Sequence, residues 1–97
     1  MEVRIQAIHF EVSDKLVAFI NKKAERIARR NPSITDVEAI LKVVKPETAL
    51  NKDVTLRVTV PQHDELVANK VADTFEEGID LALEAIDRQL EKLKEKK

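Results

Sequence analysis

The segment Val54-Thr55-Leu56-Arg57-Val58-Thr59-Val60 decides the fold, because it has the most regular pattern in the 97-residue chain. Apolar residues occupy every second position, and two threonines and an arginine lie between them. A period of two places the apolar side chains on one face of a β-strand and the polar side chains on the other. The segment therefore predicts a strand of a sheet that is covered on one face only.

Three more strands are predicted around this segment. Residues 35–45 alternate in the same way, and residues 45–53 indicate a long hairpin loop. After a short connection, residues 65–72 predict a less regular strand, in which Lys70 interrupts the alternation. We expect a bulge or an edge position there. Residues 2–9 also alternate, which predicts a strand at the start of the chain.

Two amphipathic helices complete the pattern. The first begins at an N-cap, Ser13 or Asp14, and ends near Pro32, which disfavours continuation. The second begins with a capping box of Thr74 and Glu77. The apolar stripe of the first helix is Leu16, Ile20, Ala24 and Ile27. The second helix is expected to end near Lys94. Its apolar stripe is Phe75, Ile79, Leu83, Ile86, Leu90 and Leu93.

The order of these elements is β-α-β-β-β-α. A helix between the first two strands favours a right-handed parallel crossover, and the later short connections favour antiparallel pairs. Because each helix has one apolar face, the economical arrangement is an α+β fold with a four-stranded mixed sheet and both helices packed on one face. Hydrophobic residues make up 43% of the chain and charged residues 36%, which fits a single domain over residues 1–97.

The composition disfavours several classes of function. With no cysteine and one glycine, the chain cannot build a thiolate metal site, a cysteine nucleophile or a glycine-rich phosphate loop. His9 and His63 have no second histidine or carboxylate at ligand spacing on a helix, so they fit surface positions better than catalytic ones. We expect no catalytic residues, no metal and no cofactor.

The N-terminal residues 1–5 do not resemble a signal peptide, because they contain no apolar core and no small-residue cleavage site. No apolar run approaches the roughly 20 residues that span a bilayer. The absence of cysteine fits a reducing compartment. We therefore expect a cytoplasmic protein without a membrane partner.

The distribution of charge is more informative than the net charge of −1. Residues 22–30 hold five positive charges and one negative charge, although the whole chain has 17 basic and 18 acidic residues. At about 100° per residue, the basic side chains of the first helix occupy one arc beside the apolar stripe. These are Lys15, Lys22, Lys23, Arg26, Arg29 and Arg30. Two interpretations remain open, a solvated helix face and a surface that binds a polyanion.

Charge is also segregated on the second helix. Its basic ridge, at intervals of four residues, is Arg88, Lys92 and Lys96. Its acidic residues lie together about 80° to 140° from Ile79. They are Asp80, Glu84, Asp87 and Glu91. Acids early and bases late in a helix also complement its dipole, so a purely structural role is the alternative.

Short motifs follow one another in a specific order along the whole chain. They are Val3-Arg4-Ile5-Gln6-Ala7, Ser13-Asp14-Lys15-Leu16, Thr35-Asp36-Val37, Leu41-Lys42-Val43, Asp73-Thr74-Phe75, Ile79-Asp80 and Arg88-Gln89-Leu90-Glu91-Lys92-Leu93-Lys94. As a set they resemble the ribosome hibernation promoting factor / ribosome-associated inhibitor family in its short form. Members of that family are also called sigma-factor modulation proteins.

The resemblance implies a domain related to double-stranded-RNA-binding folds. It also implies a non-enzymatic protein that binds between head and body of the small ribosomal subunit, where tRNA and mRNA lie, and keeps ribosomes inactive in stress or stationary phase. The implied partners are this subunit and its rRNA, with no DNA, and the free protein is expected to be monomeric. Matching positions imply rRNA binding by Lys22, Lys23, Arg26, Arg88, Lys92 and Lys94, and the helical wheels add Arg29, Arg30 and Lys96.

Departures from the family pattern fall mainly on the second helix. Ala85 replaces a common lysine, Leu93 replaces a frequent histidine, and Asp87 and Glu91 add negative charge, so we expect this helix to contribute less to binding. Because the chain ends at Lys97, we expect neither the C-terminal domain of the long form nor the extended tail of the inhibitor type. Two other functions remain open, a module that binds an acidic protein such as a sigma factor and a general double-stranded-RNA binder.

Overall fold

The computed structural model describes residues 1–44 and 50–95, with no side chains beyond Leu93, and it contains the six predicted elements in the predicted order. The strands are β1 (Glu2–Ile8), β2 (Asp36–Val43), β3 (Lys52–Thr59) and β4 (Leu66–Ala72). The helices are α1 (Asp14–Arg30) and α2 (Phe75–Glu95). Most of the predicted loop over residues 45–53 lies outside the described residues, and β3 begins at Lys52, within the range predicted as loop.

The four strands form one mixed sheet in the order β1-β2-β3-β4. β1 and β2 are parallel, and the other two neighbouring pairs are antiparallel. The register aligns the apolar positions of the central strands, for example Val37 with Val58 and Leu41 with Val54. Both helices pack on this apolar face and bury it. The α+β architecture with a four-stranded mixed sheet and both helices on one face is thereby confirmed.

β4 is an edge strand. Its register with β3 runs without interruption from Val58↔Leu66 to Lys52↔Ala72, so there is no bulge at Lys70 and the edge position is the correct alternative. Lys70 lies on the side of the sheet that faces the helices and is half-buried. The carbonyl oxygen of Val67 accepts a hydrogen bond of 3.0 Å from Gln89 Nε2 of α2. A charge on the inner face and a covered carbonyl both discourage pairing with another strand at this edge.

The predicted stripe of α1 is confirmed, because all four of its apolar residues are buried. The helix begins where the Ser13 hydroxyl oxygen accepts a hydrogen bond of 3.1 Å from the Leu16 N–H, which satisfies one of the free donors of the first turn. It ends at Asn31, whose side-chain amide donates to the Ile27 carbonyl oxygen at 3.0 Å. The expected stop before Pro32 is thus confirmed.

The buried stripe of α2 includes one residue that the prediction left out, Ala82. Ala82 is fully buried, whereas the predicted Leu83 is half-buried and lines the groove between α1 and α2. The small side chain of Ala82 allows α2 to lie close to the sheet, and the adjacent Leu83 is then turned toward α1. The predicted stripe is otherwise confirmed, with Phe75, Ile79, Ile86 and Leu90 buried and Leu83 and Leu93 half-buried against the same core.

The N-cap of α2 provides a first stability prediction. The Thr74 hydroxyl oxygen accepts a hydrogen bond of 3.1 Å from the Glu77 N–H, and Thr74 is exposed. We expect Thr74→Ala to lower the free energy of unfolding by about 1 kcal/mol, because alanine cannot accept this bond. Thr74→Ser keeps the hydroxyl and should stay close to wild type. Urea unfolding of both variants checks the prediction, and equal midpoints for alanine and wild type would contradict it.

Candidate nucleic-acid interface

The two helices lie side by side and are joined by two ion pairs. Lys23 Nζ lies 3.1 Å from Asp80 Oδ1, and Arg30 Nη1 lies 3.7 Å from Asp87 Oδ2. Within each helix the paired residues are separated by seven positions, or about two turns. The contact therefore repeats along the groove, and α1 and α2 run in the same direction.

Two of the predicted site residues of α1, Lys23 and Arg30, take part in these ion pairs. Lys23 also lies 5.3 Å from the centre of the Phe19 ring, and its side chain is only 29% exposed. The side chain of Arg30 is 62% exposed, so this residue still reaches solvent. Exposed ion pairs of this type contribute about 0 to 1 kcal/mol to stability. Lys23 and Arg30 therefore face α2, and a carboxylate already lies beside each of them.

Three other predicted residues of α1 point outward and form a second group. Lys22, Arg26 and Arg29 are exposed and recur at intervals of four and three residues, so they follow one line along the helix. Within the part of the chain that the structure describes, none of them forms an ion pair. We call these three residues the α1 ridge. Exposed cations in a row that form no ion pair can approach successive phosphates of a polyanion.

The basic residues of α2 lie on the side away from α1. Asp80 and Asp87 contact α1, and Gln89 contacts the β4 edge, so these residues fix the orientation of the helix. Arg88 and Lys92 fall between these two sides and are exposed. We call them the α2 ridge. The side chain of Lys94 is not described, and Lys96 lies outside the described residues.

An acidic row of Asp80, Glu84, Asp87 and Glu91 separates the two ridges. Asp80 and Asp87 are paired across the groove, whereas Glu84 and Glu91 are exposed and form no ion pair with any residue that the structure describes. Glu84 lines the rim of a cavity of about 120 Å³ between the helices. The outer surface of the helical layer therefore has three bands, with cations on both flanks and carboxylates between them.

Sequence reasoning found the segregated charges but missed the ion pairs between the helices. The signal was present, because Lys23 and Arg30 are seven residues apart and so are Asp80 and Asp87. On the helical wheels all four flank the apolar stripes rather than opposing them. When two helices are adjacent and parallel, side chains in that position contact the neighbouring helix.

The described ranges hold neither a cluster of metal ligands nor a membrane-spanning helix. Among residues 1–44 and 50–95, no group of three or more His, Cys, Asp or Glu side chains is placed to hold a metal ion. Within these ranges, neither α1 nor α2 combines the length and the apolar character that are needed to span a membrane. The banded helical surface, with exposed cations on both flanks, is the candidate functional site.

Comparisons with known proteins identify a matching family and named relatives. Residues 3–97 match the model of a family described as sigma 54 modulation protein / S30EA ribosomal protein. Two relatives named ribosome hibernation promoting factor, from Pseudomonas putida and Azotobacter vinelandii, are each 34% identical over 96 residues. The alignments cover 99% of this chain and 89% and 85% of the respective relatives.

Solved structures agree with the fold as well. A ribosomal subunit interface protein from Coxiella burnetii superimposes with a TM-score of 0.87 at 25% identity, over 99% of this chain and all of that chain. The N-terminal domain of Protein Y from Thermus thermophilus gives a TM-score of 0.78 at 15% identity, over 96% of this chain and 99% of that chain. The latter likeness concerns the fold alone.

Proposed function

The chain belongs to the sigma 54 modulation protein / S30EA ribosomal protein family, and from this we propose that it is a non-enzymatic translation regulator. It binds the small ribosomal subunit through rRNA phosphates at the tRNA and mRNA channel and keeps ribosomes inactive in stress or stationary phase. The observation that carries the proposal is the similarity over nearly the full chain to proteins named ribosome hibernation promoting factor. The protein acts in the cytoplasm, as a monomer when free, with residues 1–97 as one ribosome-binding domain and without a metal or cofactor.

The banded helical surface is the proposed contact with rRNA. The α1 ridge supplies three exposed cations, and Arg88 and Lys92 supply two more from the neighbouring helix. Lys23 and Arg30 bind phosphate in one of two ways. Either the phosphate displaces the carboxylate of Asp80 or Asp87, or the cation contacts the phosphate and its carboxylate together. Lys94 and Lys96 remain proposed contacts on the basis of position alone. All three aromatic residues of the chain, Phe10, Phe19 and Phe75, are buried or half-buried, which favours contacts to phosphate over base stacking.

Salt dependence tests the proposed mode of binding. Five phosphate contacts predict that the logarithm of the association constant falls with the logarithm of salt concentration at a slope of about −4. Doubling the monovalent salt should therefore weaken binding roughly tenfold. Sedimentation of the protein with purified ribosomes over a series of salt concentrations measures this slope. A bound fraction that does not depend on salt would contradict contacts to phosphate, and no bound fraction at low salt would contradict the proposed function.

The family description also favours a second candidate, a module that binds an acidic protein such as a sigma factor. The same cations would then contact carboxylates of the partner rather than phosphates. Ribosome sedimentation at low salt separates the two candidates, because the second predicts no ribosome-bound fraction. A pull-down with purified sigma 54 in the absence of ribosomes would detect the second candidate directly.

A further inference from the structure

Two carboxylates of α2 are placed where they can decide which shape of RNA the helical surface accepts. Glu84 and Glu91 are exposed and lie seven residues apart, so they follow one line along α2. Neither forms an ion pair within the ranges that the structure describes. Glu84 shares the lining of the groove cavity with Arg26, but no cation of the described ranges lies within ion-pair distance of either carboxylate.

The position of these carboxylates follows from contacts on both sides of α2. The side nearest α1 carries Asp80 and Asp87, which pair with Lys23 and Arg30, and the opposite side carries Gln89, which contacts β4. On the helical wheel Glu91 and Glu84 fall about 20° to 60° beyond the paired aspartates, toward Arg88. They consequently stand between the groove and the α2 ridge.

The groove itself offers little attraction for a phosphate backbone that crosses it. Lys23 and Arg30 are each matched by one carboxylate, so the groove is close to neutral. A straight duplex that lay across both helices would bring phosphates over Glu84 and Glu91. Like charges about 7 Å apart repel even in water, and the repulsion falls off over a Debye length of about 8 Å at physiological salt.

We propose that Glu84 and Glu91 are specificity-determining residues, which reject a continuous RNA duplex and favour folded RNA whose phosphates approach the two ridges from separate strands. This inference rests on the proposed binding of rRNA and adds the shape of RNA that the surface selects. The partner is a concave RNA surface with two phosphate-lined walls, one above the α1 ridge and one above Arg88 and Lys92. Between these walls the RNA backbone stays away from the acidic row.

The test compares two ligands and two variants of the full chain. Glu84→Gln together with Glu91→Gln removes both charges while keeping side chains that favour helix. Glu2→Gln together with Glu38→Gln changes the net charge equally on the opposite, uncovered face of the sheet. Dissociation constants are measured at one salt concentration for a 20-base-pair RNA duplex and for purified small ribosomal subunits. Thermal unfolding verifies that both variants remain folded.

At about 10 mM salt, where the Debye length is about 30 Å and screening is weak, the helical variant should bind the duplex about tenfold more tightly, because the repulsion between two carboxylates and nearby phosphates is removed. Its affinity for the ribosomal subunit should change less than about threefold, as should both affinities of the control. Equal gains for duplex and subunit, or a duplex affinity no higher than that of the control, would overturn the proposal. If wild type fails to bind the subunit, the proposed function fails, whereas the duplex measurements still report whether Glu84 and Glu91 repel RNA.

Discussion

Replacement of Lys22, Arg26 and Arg29 by glutamine is expected to weaken ribosome binding about 100-fold at moderate salt. The three side chains are exposed and form no ion pair within the described structure, so they can contact a partner directly. A lost contact of about 1 kcal/mol for each cation gives about 3 kcal/mol in total, or roughly two powers of ten in affinity. The slope against salt should fall by about 2 to 3, because three phosphate contacts are removed.

A matched control separates this effect from net charge. Arg4, Lys42 and Arg57 are exposed on the uncovered face of the sheet, and their replacement by glutamine changes the charge of the protein equally. We expect the control to bind ribosomes within about threefold of wild type, since long-range effects of charge are screened. Equal losses in both triple variants, or no loss in the α1 variant, would show that the α1 ridge is not the contact.

Lys23 is a poorer probe of the same surface, for a reason that the sequence did not reveal. Its charge reversal would place a carboxylate beside Asp80 and remove a cation from the Phe19 ring. A loss of ribosome binding by such a variant would then combine a binding effect with a change in helix packing. The outward side chains of Lys22, Arg26 and Arg29 avoid this ambiguity.

The strands were predictable because their apolar faces alternate with the pleat, and this period depends on neighbouring residues alone. The caps at Ser13 and Thr74 were predictable for the same reason, since each bond joins residues three positions apart. The full burial of Ala82 was not predicted, because burial of so small a side chain depends on how closely α2 approaches the sheet. Local pattern carries no information about that distance.

The candidate site, like the fold, was predictable only in part from the sequence. The arcs of charge on each helix follow from the helical period, so they could be found on a wheel. The pairing of Lys23 with Asp80 and of Arg30 with Asp87 depends on the axial alignment of two helices that are distant in sequence. That alignment is set by packing on the sheet, and it decides which predicted cations remain uncompensated. The division into bands is therefore a tertiary property.

The second large effect is expected at Gly78, the only glycine of the chain. It lies in the first turn of α2, and a Cβ atom at this position would lie 2.7 Å from Val54 Cγ2 of β3. Val54 is fully buried, and its branched side chain has little rotamer freedom, so it cannot move away at low cost. Glycine at this position therefore allows α2 to approach β3 closely.

We expect Gly78→Ala to lower the free energy of unfolding by about 1 to 2 kcal/mol. Overpacking against Val54 costs about 1 to 3 kcal/mol, and the higher helix propensity of alanine offsets up to about 1 kcal/mol. For a domain of this size the melting temperature should fall by roughly 5 to 10 °C. Differential scanning calorimetry and urea unfolding measure both quantities, and a variant as stable as wild type would contradict the close contact.

A double-mutant cycle assigns the cost to one contact. Val54→Ala removes the Cγ2 atom, so in that background Gly78→Ala should be neutral or should stabilise by up to about 1 kcal/mol. Val58 is also fully buried on β3, and it serves as the matched control. In the Val58→Ala background the cost of Gly78→Ala should persist, because no atom of Val58 is among the near neighbours of the added methyl group. Equal costs in both backgrounds would place the strain elsewhere in α2, and rescue by Val54→Ala alone would establish this contact as the limit on how closely the helix packs.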